Sequence, residues 1–291
     1  MGLGGIVRRL LGGGGRTVHE LAERLGLSPE ELRAAHPTYT EFTIPKRTGG
    51  RRTICAPDGP TKALQRLILR RLLRRLRSHP AAMGFERGRS IVSNARPHAG
   101  RAVVLRMDVR DFFVSTTERR VRDYFRAVGW GREAAALLVR LCTQRNSLPQ
   151  GAPTSPRLSN LVNYGLDARL CALADRHDAV YTRYADDMTF SFPSDDRTAV
   201  AQVIRATKAI LRQHGYTLHQ RRKLHIRRGH QQQLVTGLVV NESVALPRRT
   251  RRWLRAVEHR AAVGGRPTLS PAQLEGWRSL RSMIDAGAGA P

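Results

Sequence analysis

Two adjacent carboxylates, Asp186 and Asp187, stand inside Tyr181-Thr-Arg-Tyr-Ala-Asp-Asp-Met-Thr-Phe-Ser-Phe192. Aromatic and apolar residues on both sides predict two short strands around an acidic turn. Acids side by side on a hairpin tip repel each other, and a divalent cation held between them removes that cost while supplying a Lewis acid for phosphoryl transfer. Alone, such a pair is more commonly a solvated turn, because Asp bonds locally to turn backbone. The chemistry therefore needs company elsewhere in the chain. One companion is Asp108, which ends the apolar run Ala102-Val-Val-Leu-Arg-Met-Asp108 and would be expensive to bury without a cation.

Cations stand where they could meet a polyphosphate. Phe42-Thr-Ile-Pro-Lys46-Arg-Thr-Gly-Gly-Arg51-Arg52-Thr-Ile-Cys-Ala-Pro57 reads as two extended pieces around a Gly-Gly turn, so Lys46 and Arg52 project from facing strands of one hairpin. Over the whole chain, 51 Lys plus Arg oppose 23 Asp plus Glu, a formal charge of +28. That excess repels itself unless it faces a polyanion, which makes nucleic acid the first partner and an anionic membrane surface the second. No run of about 18 apolar residues occurs, and Arg8 and Arg9 interrupt the stretch a signal peptide would need; a cytoplasmic protein without a membrane partner is expected. Cys55, Cys142 and Cys171 are too far apart for a paired metal-binding or disulfide pattern, so packing is their expected role. The histidines form no ligand cluster.

The elements that must position these groups follow from periodicity. After a glycine-rich lead-in, residues 18–33 predict two short helices separated at Gly26, the second capped by Ser28 with Pro29 in its first turn. They suit a helical hairpin packed on a larger body better than a helix-turn-helix. Ala63 to Arg77 reads as a helix with leucines on one face and arginines on the other. Helices are expected over 118–128, 132–142, 157–176 and 196–215, strands over 217–227 and 233–241, and a basic helical tail from Pro247. Between them lies Leu148-Pro-Gln150-Gly151-Ala-Pro-Thr-Ser-Pro156, punctuated by proline and glycine.

A basic hairpin, a strand ending in Asp108, a Pro-Gln-Gly loop, an Asp-Asp hairpin, a lysine-bearing strand and a basic tail, in that order, resemble a reverse transcriptase from about Phe42 to near the C-terminus. Gly84-Phe-Glu-Arg-Gly-Arg-Ser-Ile-Val-Ser-Asn94-Ala-Arg-Pro-His98 and Val235-Thr236-Gly237 resemble elements of the bacterial retron branch. The resemblance implies an α+β right-hand polymerase fold. Residues 1–37 would be a lead and helical hairpin, 38–85 and 118–148 fingers, 86–117 and 149–244 palm, and 245–291 thumb.

It also implies roles. Asp108 and Asp186 would share two Mg2+ ions with the carbonyl of Val109, and Asp187 would support or join them. Lys46 and Arg52 would neutralise the triphosphate of a deoxynucleotide, Gln150 and Gly151 would border it, and the Phe113 ring would exclude a ribose 2'-hydroxyl. Lys223 would protonate the leaving pyrophosphate. Asn94, His98, Val235, Thr236 and Gly237 would contact a structured noncoding RNA that serves as template and primer. Arg248, Arg249, Arg251, Arg252 and Arg255 would grip the RNA–DNA duplex. A separate effector protein and a role against phage are further implications, with any nuclease or toxin activity residing elsewhere. Val114 and Met188 depart from common family residues by apolar changes alone. The rivals are a group II intron or diversity-generating enzyme and, from another class, a nonenzymatic RNA-binding regulator that uses the 18–33 helices.

Overall fold

A computed structural model describes residues 15–45, 49–219, 224–263 and 268–286. Lys46 and Lys223 fall outside the described residues. The chain divides into two compact units, one built from residues 1–80, 110–168 and 211–217, the other from 81–109, 169–210 and 218–291.

The first unit begins with the helical hairpin α1 (Val18–Leu25) and α2 (Pro29–Ala34). Helices this short are unstable alone. Here Leu21, Leu25 and Leu32 are almost fully enclosed in one core with Ile68 of α3 (Gly59–Arg71), and with α6 (Glu118–Ala127), α7 (Arg132–Cys142) and α8 (Ser155–Val162) through Phe125, Leu138 and Leu158. The 18–33 segment is therefore part of this core, as a packed hairpin. Strands β1 (Tyr39–Pro45) and β2 (Arg51–Pro57) form an antiparallel pair that sets Ile44 opposite Arg52. A short helix, α5 (Phe112–Ser115), carries Phe113.

The long helix expected over 157–176 is two helices, α8 and α9 (Tyr164–Asp175). The break falls at Asn163, where the backbone leaves the helical region at ψ 12°. Asn163 is fully buried and its amide donates to the Ser159 carbonyl and the Tyr216 hydroxyl while accepting from Arg120 at 2.7 Å. A side chain that bonds the preceding backbone competes with helix continuation.

The second unit is organised on a four-stranded antiparallel sheet in the order β4-β5-β3-β6, from β3 (Val103–Asp108), β4 (Val180–Tyr184), β5 (Asp187–Phe192) and β6 (Leu224–Arg228). Alternation assigns the faces. Val103, Leu105 and Met107 are enclosed, as are their cross-strand partners Phe192, Phe190 and Met188. The other face carries Val104, Arg106 and Asp108 with their partners Ser191, Thr189 and Asp187. Val104 joins a core with α4 (Ile91–Ala95), Val235, Leu238 and the tail helices α11 (Arg248–Ala262) and α12 (Pro271–Asp285). Helix α10 (Arg197–Gln213) matches the expected 196–215 segment.

The strand expected over 217–227 is described from Leu224, as β6, and the one expected over 233–241 is divided in two. The second is a tight hairpin, β7 (Leu234–Val235) and β8 (Leu238–Val239). Thr236 and Gly237, at φ 46° and 86°, occupy its two turn positions, the conformation that matches strand twist in a two-residue hairpin. Among the described residues no helix is long and apolar enough to cross a membrane.

Candidate active site

The acidic turn is a two-residue hairpin loop. β4 ends at Tyr184, β5 begins at Asp187, and these two residues are paired, leaving Ala185 and Asp186 at the tip. Ala185 takes φ 58°, a conformation that costs a residue with a Cβ and needs outside support. Support comes from Arg183, whose guanidinium is fully buried and donates to the Ala185 carbonyl at 3.0 Å. Residues Ala81 to Gly84 run alongside: Arg183 N–H donates to the Ala81 carbonyl at 2.8 Å, and Met83 N–H to the Arg183 carbonyl at 2.7 Å. Gly84 then presses on the tip so closely that a Cβ there would lie 2.7 Å from the Ala185 nitrogen.

This hairpin meets the end of β3. Asp108 pairs directly with Asp187, and the Val109 N–H donates to the Asp186 carbonyl at 2.9 Å. Directly opposite residues in an antiparallel pair point to the same face, so the carboxylates of Asp108 and Asp187 share one side of the sheet edge, with Asp186 beside them on the turn. Their side chains are 17% and 22% exposed. Like charges so placed destabilise a sheet, and a cation answers them. Arg106, on the same face two residues before Asp108, forms an ion pair with Asp187. His219 Nε2 stands 3.6 Å from Asp108 Oδ1, and the His219 backbone N–H donates to the Asp108 carbonyl at 3.0 Å.

Among the described residues no group of three His, Cys, Asp or Glu side chains is drawn into a ready-made metal cage. The donor set nonetheless suits a hard divalent cation, being carboxylate oxygen throughout, with Arg106 beside it offsetting part of the charge.

The expected nucleotide-side residues lie in the first unit. Arg52 is exposed on β2. Gln150 joins the hairpin by backbone, its carbonyl accepting from the Cys55 N–H at 2.8 Å. Gly151, at φ 131°, leaves no room for a side chain: a Cβ would lie 2.8 Å from the Cys55 carbonyl oxygen and 3.1 Å from Ile54 Cγ2. Phe113 is half-buried, edge-on to Phe112, which stacks on Tyr216. Tyr216 is itself fixed by the Thr116 hydroxyl at 2.6 Å and by the Arg120 guanidinium over its ring at 4.5 Å. Val109, in the second unit with the acids, is buried.

The residues expected to touch RNA divide. His98 has no exposed surface, and its ring nitrogens bond the hydroxyls of Ser191 at 2.7 Å and Thr182 at 2.8 Å. Burial, reinforced by the Arg101 charge, pushes its pKa down to about 3, so the imidazole is neutral, one nitrogen donating and the other accepting. His98, Asn94 and Val235, expected to contact RNA, are all enclosed. Asn94 instead donates to the Thr236 hydroxyl at 3.4 Å, and that hydroxyl donates to the Ile91 carbonyl at 3.0 Å. The two separate motifs thus lock α4 to the β7–β8 turn. Gly237 is exposed and Thr236 half-exposed, and Arg248, Arg249, Arg251, Arg252 and Arg255 all face outward on α11.

Arg106, Arg183, His219 and Gly84 escaped the sequence reading. Arg106 had a signal in its two-residue spacing from Asp108 on a strand; the other three depend on contacts that no local pattern encodes.

The family described as reverse transcriptase (RNA-dependent DNA polymerase) matches residues 44–234. The retron Mx65 reverse transcriptase of Myxococcus xanthus is 39% identical over 296 residues, spanning 93% of this chain and 69% of that protein. The retron Ec86 reverse transcriptase of Escherichia coli is 34% identical over 280 residues, spanning 93% of this chain and 85% of that protein. Among solved structures, telomerase from Candida albicans in complex with a fragment of telomeric RNA superposes with a TM-score of 0.51 at 12% identity, covering 80% of this chain and 51% of the other. That last likeness concerns fold alone.

Proposed function

We infer, for a chain that belongs to the reverse transcriptase family and within it to the retron-type reverse transcriptases, that its RNA-directed DNA polymerase activity copies a dedicated, structured noncoding RNA into single-stranded DNA. The observation that carries this reading is the register that sets Asp108 directly opposite Asp187, with the Asp186 tip hydrogen-bonded to the next residue, Val109. The right-hand polymerase fold of the family supports the division into fingers, palm and thumb. In it the β1–β2 hairpin would belong to the fingers, the four-stranded sheet to the palm, and α11 with α12 to the thumb.

Asp108 and Asp186, with the Val109 carbonyl, would hold two Mg2+ ions. When bound, these lower the pKa of the attacking primer hydroxyl and offset charge on the leaving pyrophosphate. Asp187 holds Arg106, and so keeps a cation at the base of the turn. Arg52 neutralises the triphosphate, and Lys46 and Lys223 keep their expected roles there and at the leaving group. Gln150 and Gly151 line the nucleotide, where the absent side chain of Gly151 lets backbone approach. Phe113, buttressed by Phe112 and Tyr216, presents a rigid ring toward the sugar. The outward arginines of α11 hold the duplex by its phosphates, a contact that weakens steeply with salt, and Thr236 with Gly237 offer the exposed turn to structured RNA.

Defence against phage, together with a separate effector protein, follows from the retron likeness alone. The nonenzymatic alternative loses its binding module, because α1 and α2 lie within the core of the first unit.

The test is paired. Asp186→Ala with Asp187→Ala is expected to abolish magnesium-dependent DNA synthesis while RNA binding stays within a few-fold of wild type. Sequencing of copurified nucleic acid is expected to return one discrete RNA joined to a short DNA. Persistent synthesis by the double variant would overturn the site, and heterogeneous cellular RNA would overturn the dedicated template.

A further inference from the structure

The loop from Phe85 to Arg89 takes no part in the roles assigned above, yet its backbone and its surface both mark it. Phe85 stands at φ 63°, a left-handed conformation that a bulky residue adopts only at a cost. It nevertheless remains 46% exposed. A strained aromatic that gains so little burial is poorly explained by core packing, and such strain gathers at sites that bind. Arg87, Gly88 and Arg89 are exposed beside it, so an aromatic ring alternates with guanidiniums along the loop.

Both ends of the loop are fixed. On one side Gly84 abuts the Ala185 nitrogen, and the Arg89 guanidinium reaches back to the Met83 sulfur at 3.2 Å. On the other, Ser90 and Ser93 close a reciprocal cap on α4. Phe85 is thus one residue from a glycine in van der Waals contact with the turn that carries Asp186.

We propose that Phe85 stacks on the terminal nucleotide of the strand whose hydroxyl attacks, and that Arg87 holds a phosphate of that strand. The inference rests on the polymerase reading above. Its chemistry is that of single-strand platforms, where an aromatic face accepts any base and nearby cations hold the backbone. The growing strand is the occupant because its end must come to the Asp186 turn, and Phe85 flanks that turn.

The experiment is steady-state extension of oligo(dT) annealed to poly(rA), with dTTP and magnesium, by wild type, Phe85→Gly, Phe85→Tyr and Arg87→Gln. Glycine adopts positive φ freely, so Phe85→Gly should keep or raise the melting temperature, which separates a lost contact from a damaged fold. Its KM for primer–template is expected to rise about 5- to 150-fold, as for a lost base–aromatic stack, with the KM for dTTP within about twofold. Phe85→Tyr should stay close to wild type. Arg87→Gln should raise the same KM and flatten its salt dependence. A Phe85→Gly enzyme with unchanged primer–template KM, or with its effect on dTTP instead, would overturn the proposal. A wild-type protein that made no DNA on this template would count against the polymerase reading itself.

Discussion

Acid should weaken this protein through His98, and the effect can be isolated. The imidazole is fully enclosed, bonded to Thr182 of β4 and Ser191 of β5, and its pKa falls from 6.5 to about 3. In the unfolded chain the ring takes up a proton below its ordinary pKa, whereas the folded state refuses one until about pH 3. Between these values the unfolded state binds more protons, so stability falls as pH falls. The stabilising contribution is complete above pH 6.5 and is lost progressively from there toward pH 3. At pH 5 the gap is 1.5 pH units below the ordinary value, which at about 1.4 kcal/mol per unit gives a loss of about 2 kcal/mol. Urea unfolding of wild type and His98→Gln at pH 7.5, 6.5 and 5.0 measures it. Glutamine carries a donor and an acceptor but no titrating group, and the other ionisable residues cancel in the difference between the two proteins. At pH 7.5 the variant should be less stable by about 1–3 kcal/mol, as a buried hydroxyl loses a well-placed partner. That difference should shrink by about 2 kcal/mol at pH 5.0. Parallel pH profiles would refute the reasoning, since they would mean that the ring titrates alike in both states.

Three shorter expectations concern the turn and its surroundings. Gly84→Ala drives a Cβ into backbone at the acidic tip, so turnover should drop on the order of 100-fold, as for a displacement of about 1 Å near the reacting atoms; unchanged turnover in primer extension would mean that the tip yields freely. Gly151→Ala combines a forbidden backbone conformation with a clash against the Cys55 carbonyl and should cost about 3 kcal/mol, seen as a lower melting temperature and a raised nucleotide KM. Arg106→Met removes the cation that holds Asp187, so its melting temperature should fall without magnesium and recover more than wild type when magnesium is added; equal magnesium responses would argue that the carboxylates bind no ion there.

Much of the site was legible because it is written in short-range patterns. Apolar residues around Asp186 and Asp187 could only be strands joined by a turn, and the run ending in Asp108 could only be a buried strand with a costly terminus. The N-terminal helices were equally legible from Gly26, Ser28 and Pro29. The break at Asn163 was hidden, because its helical neighbours look continuous until Tyr216 and Arg120 claim the amide. The enclosure of His98 and Asn94 was equally hidden, since nothing in the sequence near them says which side of the 91–98 segment faces inward.

By itself the sequence determined which chemistry was available: one carboxylate at a strand end and two at a hairpin turn, cations in excess, a glycine-bearing loop, and the order that marks the family. Tertiary structure alone decided how they are used. Register across β3 and β5 sets Asp108 against Asp187 and hands Asp187 to Arg106, packing at Gly84 and Arg183 holds Ala185 in its strained turn, and burial turns a histidine into a neutral strut. The physical reason is that residue type and spacing fix local geometry, whereas charge compensation and burial depend on which distant segments meet.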